Sequence, residues 1–151
     1  MEGVFLSLWF IVAVIGIVLV INSKDKDRQR KIEKRNQLDR LQSNEKECSP
    51  QEFFELRKGS EDFEGVYIIH NITKDKYYVG QSVHVLQRVN KHMTGYGNGD
   101  VYADYKYGDR FTIKCLSLEK SVYSSLDRLE KDFIERYDAK EHGYNRRKGN
   151  G

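Results

Sequence analysis

The feature that most constrains the fold of this chain is the segment from Gly65 to Gly80, GVYIIHNITKDKYYVG. It contains two short runs rich in β-branched and aromatic residues, 66–69 and 77–79, separated by a polar stretch. Such residues favour strands, and a short polar segment between two of these runs is typical of a β-hairpin. The sequence therefore predicts two antiparallel strands, the first containing Tyr67 and the second Tyr78.

The N-terminus carries a second strong pattern, an uncharged and largely apolar run from Val4 to Ile21. As a helix this run would be about 27 Å long, close to a bilayer core of about 30 Å. A cleaved signal peptide is the alternative, but it would need a basic start and a small-residue cleavage site. The run instead follows Met1-Glu2-Gly3. The sequence therefore predicts a single-pass membrane anchor over residues 1–22.

The charges beside this run predict its orientation. No Lys or Arg precedes it, whereas seven follow closely: Lys24, Lys26, Arg28, Arg30, Lys31, Lys34 and Arg35. Positive residues concentrate on the cytoplasmic side of membrane helices. We therefore predict a membrane protein with its N-terminus outside and its C-terminal part in the cytoplasm.

Residues 23–60 are predicted to form a charged stalk and linker, followed by a globular domain over residues 61–151. The stalk has no helix breaker before Ser49-Pro50, so it can be helical. Its few apolar residues do not sustain a heptad repeat. We interpret it as a solvated helical or partly disordered stalk, and a dimer or another protein partner formed through it stays open.

Net charge and cysteine content limit the kinds of partner and compartment that suit this chain. A net charge of +3 in 151 residues, 32% of them charged, is compatible with a polyanionic partner without requiring one. The two cysteines, Cys48 and Cys115, lie far apart and have no His or Cys at metal-ligand spacing. We expect two free thiols in a reducing compartment.

The residues after Gly80 follow a helical pattern, with Ser82 suited to cap the helix. Apolar residues recur at helical spacing and predict a buried face: Val83, Leu86, Val89 and Met93. A second stripe has i, i+4 spacing and contains His84, Arg88 and His92. By spacing alone, this second stripe is more typical of a solvated surface than of a functional site.

Residues 94–110 combine glycines with tyrosines, and we interpret them as a loop. Its tyrosines either stack on nucleobases or belong to a mobile surface segment. The next residues, Phe111–Leu116, begin with alternating apolar and polar side chains and predict a third strand.

A second helix is predicted from about Ser121 to Tyr137. Its apolar stripe consists of Leu126, Leu129, Phe133, Ile134 and Tyr137. Glu130 falls inside that stripe, where a carboxylate is costly unless it is paired, hydrogen-bonded or bound to a metal. The alternative is a glutamate at the edge of the stripe whose carboxylate reaches water.

These motifs resemble those of the GIY-YIG nuclease family, which is named for paired triplets. Here the triplets are Gly65-Val66-Tyr67 and Tyr78-Val79-Gly80, with Val in place of Ile in each. The family pattern places an Arg and then a His on the first helix after the second triplet. Arg88 and His92 match these two positions.

The resemblance extends to the end of the chain. Glu130 matches the acidic residue that the family carries on its later helix, and Asn145, in a Gly-Tyr-Asn element, matches its asparagine. The similarity covers about Gly65 to Asn145. It implies an α+β fold, a three-stranded antiparallel sheet flanked by helices.

The resemblance also implies a divalent-metal-dependent endonuclease that hydrolyses DNA phosphodiester bonds. Glu130 would be the ligand of one Mg²⁺ or Mn²⁺, Arg88 would donate to phosphate oxygens, and Asn145 would support the site. Tyr67 would be the general base for the attacking water. His92 would either orient a tyrosine hydroxyl or accept its proton, and Tyr78 would position phosphate or water.

The sequence leaves substrate preference and two other classes of function open. Arg146, Arg147 and Lys148 suit either a phosphate backbone or a solvated tail. Residues 1–60 have no zinc-ribbon or helix-turn-helix signature, so we expect little intrinsic sequence specificity. The alternatives are a non-catalytic DNA-binding module held at a membrane and a protein-interaction scaffold with the same fold.

Overall fold

The computed structural model describes residues 2–44, 47–147 and 149, and within the first helix the side chains of residues 10 and 12–33. The chain divides into two compact units, Met1–Arg40 and Leu41–Gly151. The described elements are, in chain order, α1 (Glu2–Asn44), α2 (Pro50–Lys58), β1 (Gly65–Asn71), β2 (Lys76–Ser82), α3 (Val85–Met93), α4 (Gly99–Lys106), β3 (Phe111–Ser117) and α5 (Leu126–Arg136).

The membrane anchor predicted over residues 1–22 is wrong. Its apolar run belongs to α1, which continues unbroken into the charged segment. In the part of the chain that the structure describes, no helix is long and apolar enough to cross a membrane. The predicted single-pass topology and cytoplasmic location depended on this anchor and are corrected with it.

The charged segment after the apolar run is helical, as its lack of helix breakers predicts. Ser49 then begins a new helix, α2, with a capping box. Ser49 Oγ accepts from the Glu52 N–H (3.2 Å), Glu52 Oε2 accepts from the Ser49 N–H (2.8 Å), and Pro50 occupies the first turn. The predicted domain boundaries at residues 22/23 and 60/61 stay predictions.

The three strands form one antiparallel sheet in the order β2-β1-β3. This confirms the predicted hairpin, the third strand and the α+β class. The β1–β2 register runs from Gly65↔Ser82 to Asn71↔Lys76. The central strand, β1, is buried along nearly its whole length, so both faces of the sheet are covered.

Two groups of helices cover the sheet. On one face, Tyr67 and Ile69 pack into a core with residues of α2, α3 and α4: Phe53, Val85, Val89, Met93 and Val101. Since side chains alternate along a strand, Val66 and Ile68 point to the opposite face. There α5 packs on β1 and β2, with Leu129 and Phe133 fully buried.

The C-terminal segment covers the outer edge of β2. The Tyr144 N–H donates to the Tyr77 carbonyl (2.9 Å). The Asn145 side chain accepts from the Val79 N–H (2.8 Å) and donates to the Val79 carbonyl (2.7 Å). An uncovered strand edge can pair with another chain, so this segment protects β2 and fixes Asn145 beside it.

The cap of α3 differs from the prediction. Ser82 Oγ accepts from the His84 N–H in the turn before the helix, and Asp62 caps the helix itself. Its two carboxylate oxygens accept from the N–H groups of Leu86 (2.8 Å) and Gln87 (3.0 Å). The later start of α3 exposes Val83, predicted to be buried, and buries Val85 instead.

Two further helices, α4 and α5, differ from the sequence prediction. The predicted loop 94–110 contains α4, whose first amides are capped by the side chain of Asn98. Asn is a preferred N-cap residue, so Asn98 was a sequence signal for the start of this helix. The glycines and tyrosines around it favoured the loop interpretation instead. α5 begins at Leu126 rather than near Ser121, because Ser125 Oγ accepts from an amide of its first turn.

Replacing Asp62 by Ala should destabilise the Leu41–Gly151 unit by about 1–2 kcal/mol, because two amides of α3 lose their acceptor. Urea unfolding of the full chain measures the change. Glu61→Ala is the matched control, since it removes a neighbouring exposed carboxylate. Equal stability of the two variants would contradict the capping role of Asp62.

Candidate active site

A cleft of about 310 Å³ collects residues from both hairpin strands, α3, α5 and the C-terminal segment. Five of the six residues predicted for the site line it: Tyr67, Tyr78, Arg88, Glu130 and Asn145. The sixth, His92, lies behind the cleft, 1% exposed, with its Nε2 2.9 Å from Tyr67 Oη. The fold therefore gathers residues that are widely separated in sequence.

Gly80 makes room for Tyr67 at the cleft. The two residues are paired across β1 and β2, and the phenol ring lies against the Gly80 Cα. A Cβ at this position would collide with the Tyr67 ring and hydroxyl. The glycine that ends the second triplet is therefore required by the position of the tyrosine in the first. The ring of Tyr78 lies close by, with centroids 6.2 Å apart.

His92 is a neutral ring with its proton on Nε2. The Asn98 backbone N–H can only donate, and it donates to Nδ1 over 2.8 Å, so Nδ1 carries no proton. Burial, helped by the nearby charge of Arg88, lowers the pKa of His92 to about 4, so the ring is neutral near pH 7. The single ring proton therefore lies on Nε2, and Nε2–H donates to Tyr67 Oη.

This tautomer limits the hydrogen bonds that His92 can make to Tyr67. A ring that donates through Nε2 and accepts through Nδ1 has no free lone pair for a tyrosine proton. His92 therefore orients Tyr67. The main chain before α4 packs tightly against the imidazole, since a Cβ on Gly97 would collide with Nδ1.

Both tyrosines are neutral phenols near pH 7. Burial raises the pKa of Tyr67 far above its usual value, Tyr78 adds to the rise, and a hydrogen bond from Arg88 opposes it. Burial also raises the pKa of Tyr78, whereas Arg88 and a hydrogen bond from Tyr67 lower it. Each tyrosine affects the pKa of the other, so their proton equilibria belong to the pair.

Arg88 brings positive charge to the cleft. It lies on α3 one turn before His92, and its side chain is exposed. Its charge opposes the rise in the pKa of both tyrosines and adds to the fall in the pKa of His92. A planar guanidinium suits bidentate binding of phosphate oxygens.

Glu130 lies on the buried side of α5 and still lines the cleft, with 8% of its surface exposed. Gln81 Nε2 donates to Glu130 Oε2 (3.1 Å) and to Asp127 Oδ1 (2.7 Å). In the structure, Glu130 is therefore a mostly buried, hydrogen-bonded carboxylate rather than one at the edge of the stripe that reaches water.

The cleft is compatible with a divalent metal whose ligands come partly from the protein and partly from the substrate and water. Among the described residues, no group of three or more His, Cys, Asp or Glu could hold a metal ion. Mg²⁺ is commonly bound by only one or two carboxylates, together with waters and substrate phosphates. A single, largely buried carboxylate on an open cleft is compatible with that pattern, and Glu130 is the residue that would hold such an ion.

The C-terminal residues have different surroundings. The amide of Asn145 is engaged at both ends by the backbone of β2, so it can support the site by holding that strand. Arg146 and Arg147 line the cleft, and Arg146 also pairs with Asp100 over 3.2 Å. Lys148 lies outside the described residues.

Sequence reasoning missed three contributors to the site. Asp127 had a signal, because it precedes Glu130 by three residues and shares its helix face. Gln81 directly follows the second triplet, but its link to both carboxylates depends on the packing of α5 on β2. The Asn98 amide that sets the tautomer of His92 belongs to the main chain, so no side-chain pattern reveals it.

Comparison with known families decides the assignment. The family profile described as the GIY-YIG catalytic domain matches residues 63–145, which include all six site residues. The chain belongs to the GIY-YIG family. It is therefore an endonuclease that hydrolyses DNA phosphodiester bonds. α1 and α2 both precede the GIY-YIG match.

Two solved structures are similar to this chain. One is a point mutant of the catalytic domain of the intron endonuclease I-TevI, with 21% identity and a TM-score of 0.42 over 58% of this chain and 96% of that chain. The other is the catalytic domain of the homing endonuclease I-TevI, with 24% identity and a TM-score of 0.40 over 54% and 96%. No curated protein sequence matches this chain.

The depressed pKa of His92 predicts a pH-dependent stability. The unfolded state binds a proton below about pH 6.5, whereas the folded state resists it down to about pH 4. The folded protein should therefore lose about 3 kcal/mol through this group as pH falls through that window. His92→Gln should abolish the loss, so the stability gap between wild type and variant should narrow on acidification.

Denaturant unfolding at several pH values between 7 and 4 measures this gap. His84→Gln, the same substitution at an exposed position on the turn before α3, controls for the loss of an imidazole. A gap between wild type and His92→Gln that does not change with pH would contradict the buried, neutral state of His92.

Proposed function

We propose that this chain is a divalent-metal-dependent endonuclease that cuts DNA with little sequence specificity of its own. The observation that carries the proposal is a single cleft lined by a guanidinium from one helix, Arg88, and a carboxylate from another, Glu130, beside two tyrosine hydroxyls. Phosphodiester hydrolysis needs neutralised charge on the phosphate, a metal site and an oriented water. The cleft offers a candidate for each.

Arg88 is the proposed ligand of the scissile phosphate. Its guanidinium is exposed at the cleft and can donate two parallel hydrogen bonds to non-bridging oxygens. Charge accumulates on those oxygens in the transition state, where a fixed donor is worth more than in the ground state. Lys is a poor substitute, because it presents a point charge without the planar fork.

Glu130 is the proposed protein ligand of Mg²⁺ or Mn²⁺. When bound, such an ion neutralises phosphate charge and lowers the pKa of a coordinated water. Gln81 holds the Glu130 carboxylate through Oε2, so this side chain faces the cleft in a fixed orientation. Substrate oxygens and waters would complete the shell that one carboxylate leaves open.

The tyrosine pair is proposed to hold the attacking water, and Tyr67 to take up its proton as a phenolate that has first released its own proton to solvent through the cleft that both tyrosines line. A neutral phenol is a weak base, so this role requires positive charge that favours the phenolate. Two groups of this chain supply such support to Tyr67: the guanidinium of Arg88 and the Nε2–H of His92. Tyr78 is more exposed to the cleft than Tyr67 and can contact the water directly.

We expect little sequence specificity because the cationic groups in the cleft suit DNA phosphates rather than base edges. Phosphate contacts position DNA, whereas sequence is read at the base edges. The cationic residues of the cleft, Arg88, Arg146 and Arg147, suit phosphates. A protein partner or a dimer formed through the charged segment of α1 stays a prediction.

Arg88→Ala and Glu130→Gln should each lower Mg²⁺-dependent plasmid cleavage at least about 100-fold, because each removes a group that acts on the transition state. Cleavage by the wild type should stop with EDTA and return with Mn²⁺. Arg88→Lys should remain strongly impaired despite its charge.

The matched controls are Arg128→Ala and Glu135→Gln, which change exposed residues of α5. Both should cleave as fast as the wild type. Full activity in either Arg88→Ala or Glu130→Gln would overturn the assigned roles. DNA binding by the wild type with no cleavage under any metal condition would favour a non-catalytic module.

A further inference from the structure

We propose that one strand of the DNA substrate continues from the catalytic cleft along the outer face of α3 into a second cleft, the cationic cleft. This cleft has a volume of about 650 Å³. Its lining includes Arg57, Gln87, Arg88, Asn90, Lys91 and Tyr96. The inference rests on the proposed function, because it gives the DNA a path beyond the cut site.

The cationic cleft adjoins the catalytic cleft. Arg88 lines both, and it also lines an intermediate cleft of about 500 Å³ that shares Gln81 with the catalytic cleft. Lys91 lines the intermediate and the cationic clefts. A single strand can therefore follow an open path past the second triplet and α3 to the end of α2, where Arg57 lies.

The charge of the cationic cleft suits phosphates, whereas the intermediate cleft is also lined by Asp127. None of the described residues that line the cationic cleft is acidic, whereas three are Arg or Lys. Lys74, by contrast, is already paired with Asp104 (2.5 Å) and Asp109 (3.3 Å). An exposed cationic groove of this kind attracts a polyanion and is typical of proteins that track a nucleic-acid backbone.

The spacing of the cations also suits a strand. Arg88 and Lys91 are three residues apart on α3, which places them about 4.5 Å apart along the helix axis. Successive phosphates of one strand advance by about 3.4 Å along the duplex axis. Neighbouring phosphates of one strand can therefore be contacted by the two side chains.

Tyr96 borders the cationic cleft and offers an aromatic face to the strand. It is 82% exposed, an unusual state for a large ring, and its N–H donates to the Lys91 carbonyl over 2.8 Å. This hydrogen bond fixes the turn that carries the ring directly after α3. An exposed ring beside a phosphate track can pack against a sugar or a base.

The cationic cleft goes beyond what the family match implies. Arg57 belongs to α2 and precedes the matched residues 63–145. Helix α2 contributes this cation because its capping box and the buried Phe53 fix it against the domain core. The cleft is thus formed partly by a segment outside the matched region.

The experiment measures binding of a fluorescent DNA duplex to the full chain in EDTA, over a range of salt concentrations. Arg57→Ala/Lys91→Ala should weaken binding on the order of tenfold at low salt and reduce the salt slope, log Kd against log salt, by about 2. Lys106→Ala/Lys120→Ala removes the same charge from exposed positions that line none of the three clefts, and it should bind with the wild-type slope.

Two further comparisons test the charge of the cationic cleft and the ring of Tyr96 separately. The charge-conserving Arg57→Lys/Lys91→Arg variant should retain the wild-type slope, which separates lost contacts from a damaged fold. Tyr96→Ala should weaken binding, whereas Tyr107→Ala, at a similarly exposed tyrosine outside the cleft, should not.

A wild-type affinity and slope in Arg57→Ala/Lys91→Ala would overturn the cationic cleft, as would an equal loss in the Lys106→Ala/Lys120→Ala control. Plasmid cleavage by the wild type with Mg²⁺ tests the proposed function separately. Failure of cleavage together with the expected binding pattern would refute the metal-dependent chemistry and leave the DNA path standing.

Discussion

The geometry of the candidate site depends on one buried hydrogen bond, from His92 Nε2–H to Tyr67 Oη. Both side chains are 1% exposed, so water cannot replace the bond if it is lost. Two glycines permit it, because Gly80 admits the phenol ring and Gly97 lets the main chain approach the imidazole. The Asn98 amide then fixes the ring tautomer. The hydroxyl of Tyr67 is thereby oriented before any substrate arrives.

The charged groups of the site are arranged around this fixed pair. Arg88 comes from α3 on one face of the sheet, and Glu130 comes from α5 on the other. A phosphate in the cleft would therefore be approached from two sides by groups on rigid elements, which is the arrangement that preorganised catalysis requires. The C-terminal segment closes the site at β2 through Asn145.

Local patterns predicted the elements well, and non-local contacts explain what they missed. The hairpin, the third strand and the buried carboxylate of Glu130 follow from residue type and periodicity, and the GIY-YIG resemblance brought the six site residues together. The cap of α3 comes from Asp62, which is distant in sequence, so the start of that helix was misplaced. Hydropathy alone predicted an anchor, but within the described residues α1 is not long and apolar enough to cross a membrane.

The most direct test of this account is the protonation state of His92 in the full chain, measured by long-range ¹H–¹⁵N NMR on ¹⁵N-histidine-labelled protein near pH 7. The spectrum of His92→Gln assigns the signal. The account predicts a neutral ring with protonated Nε2 and unprotonated Nδ1. A ring protonated on Nδ1, or a cationic ring at this pH, would contradict it.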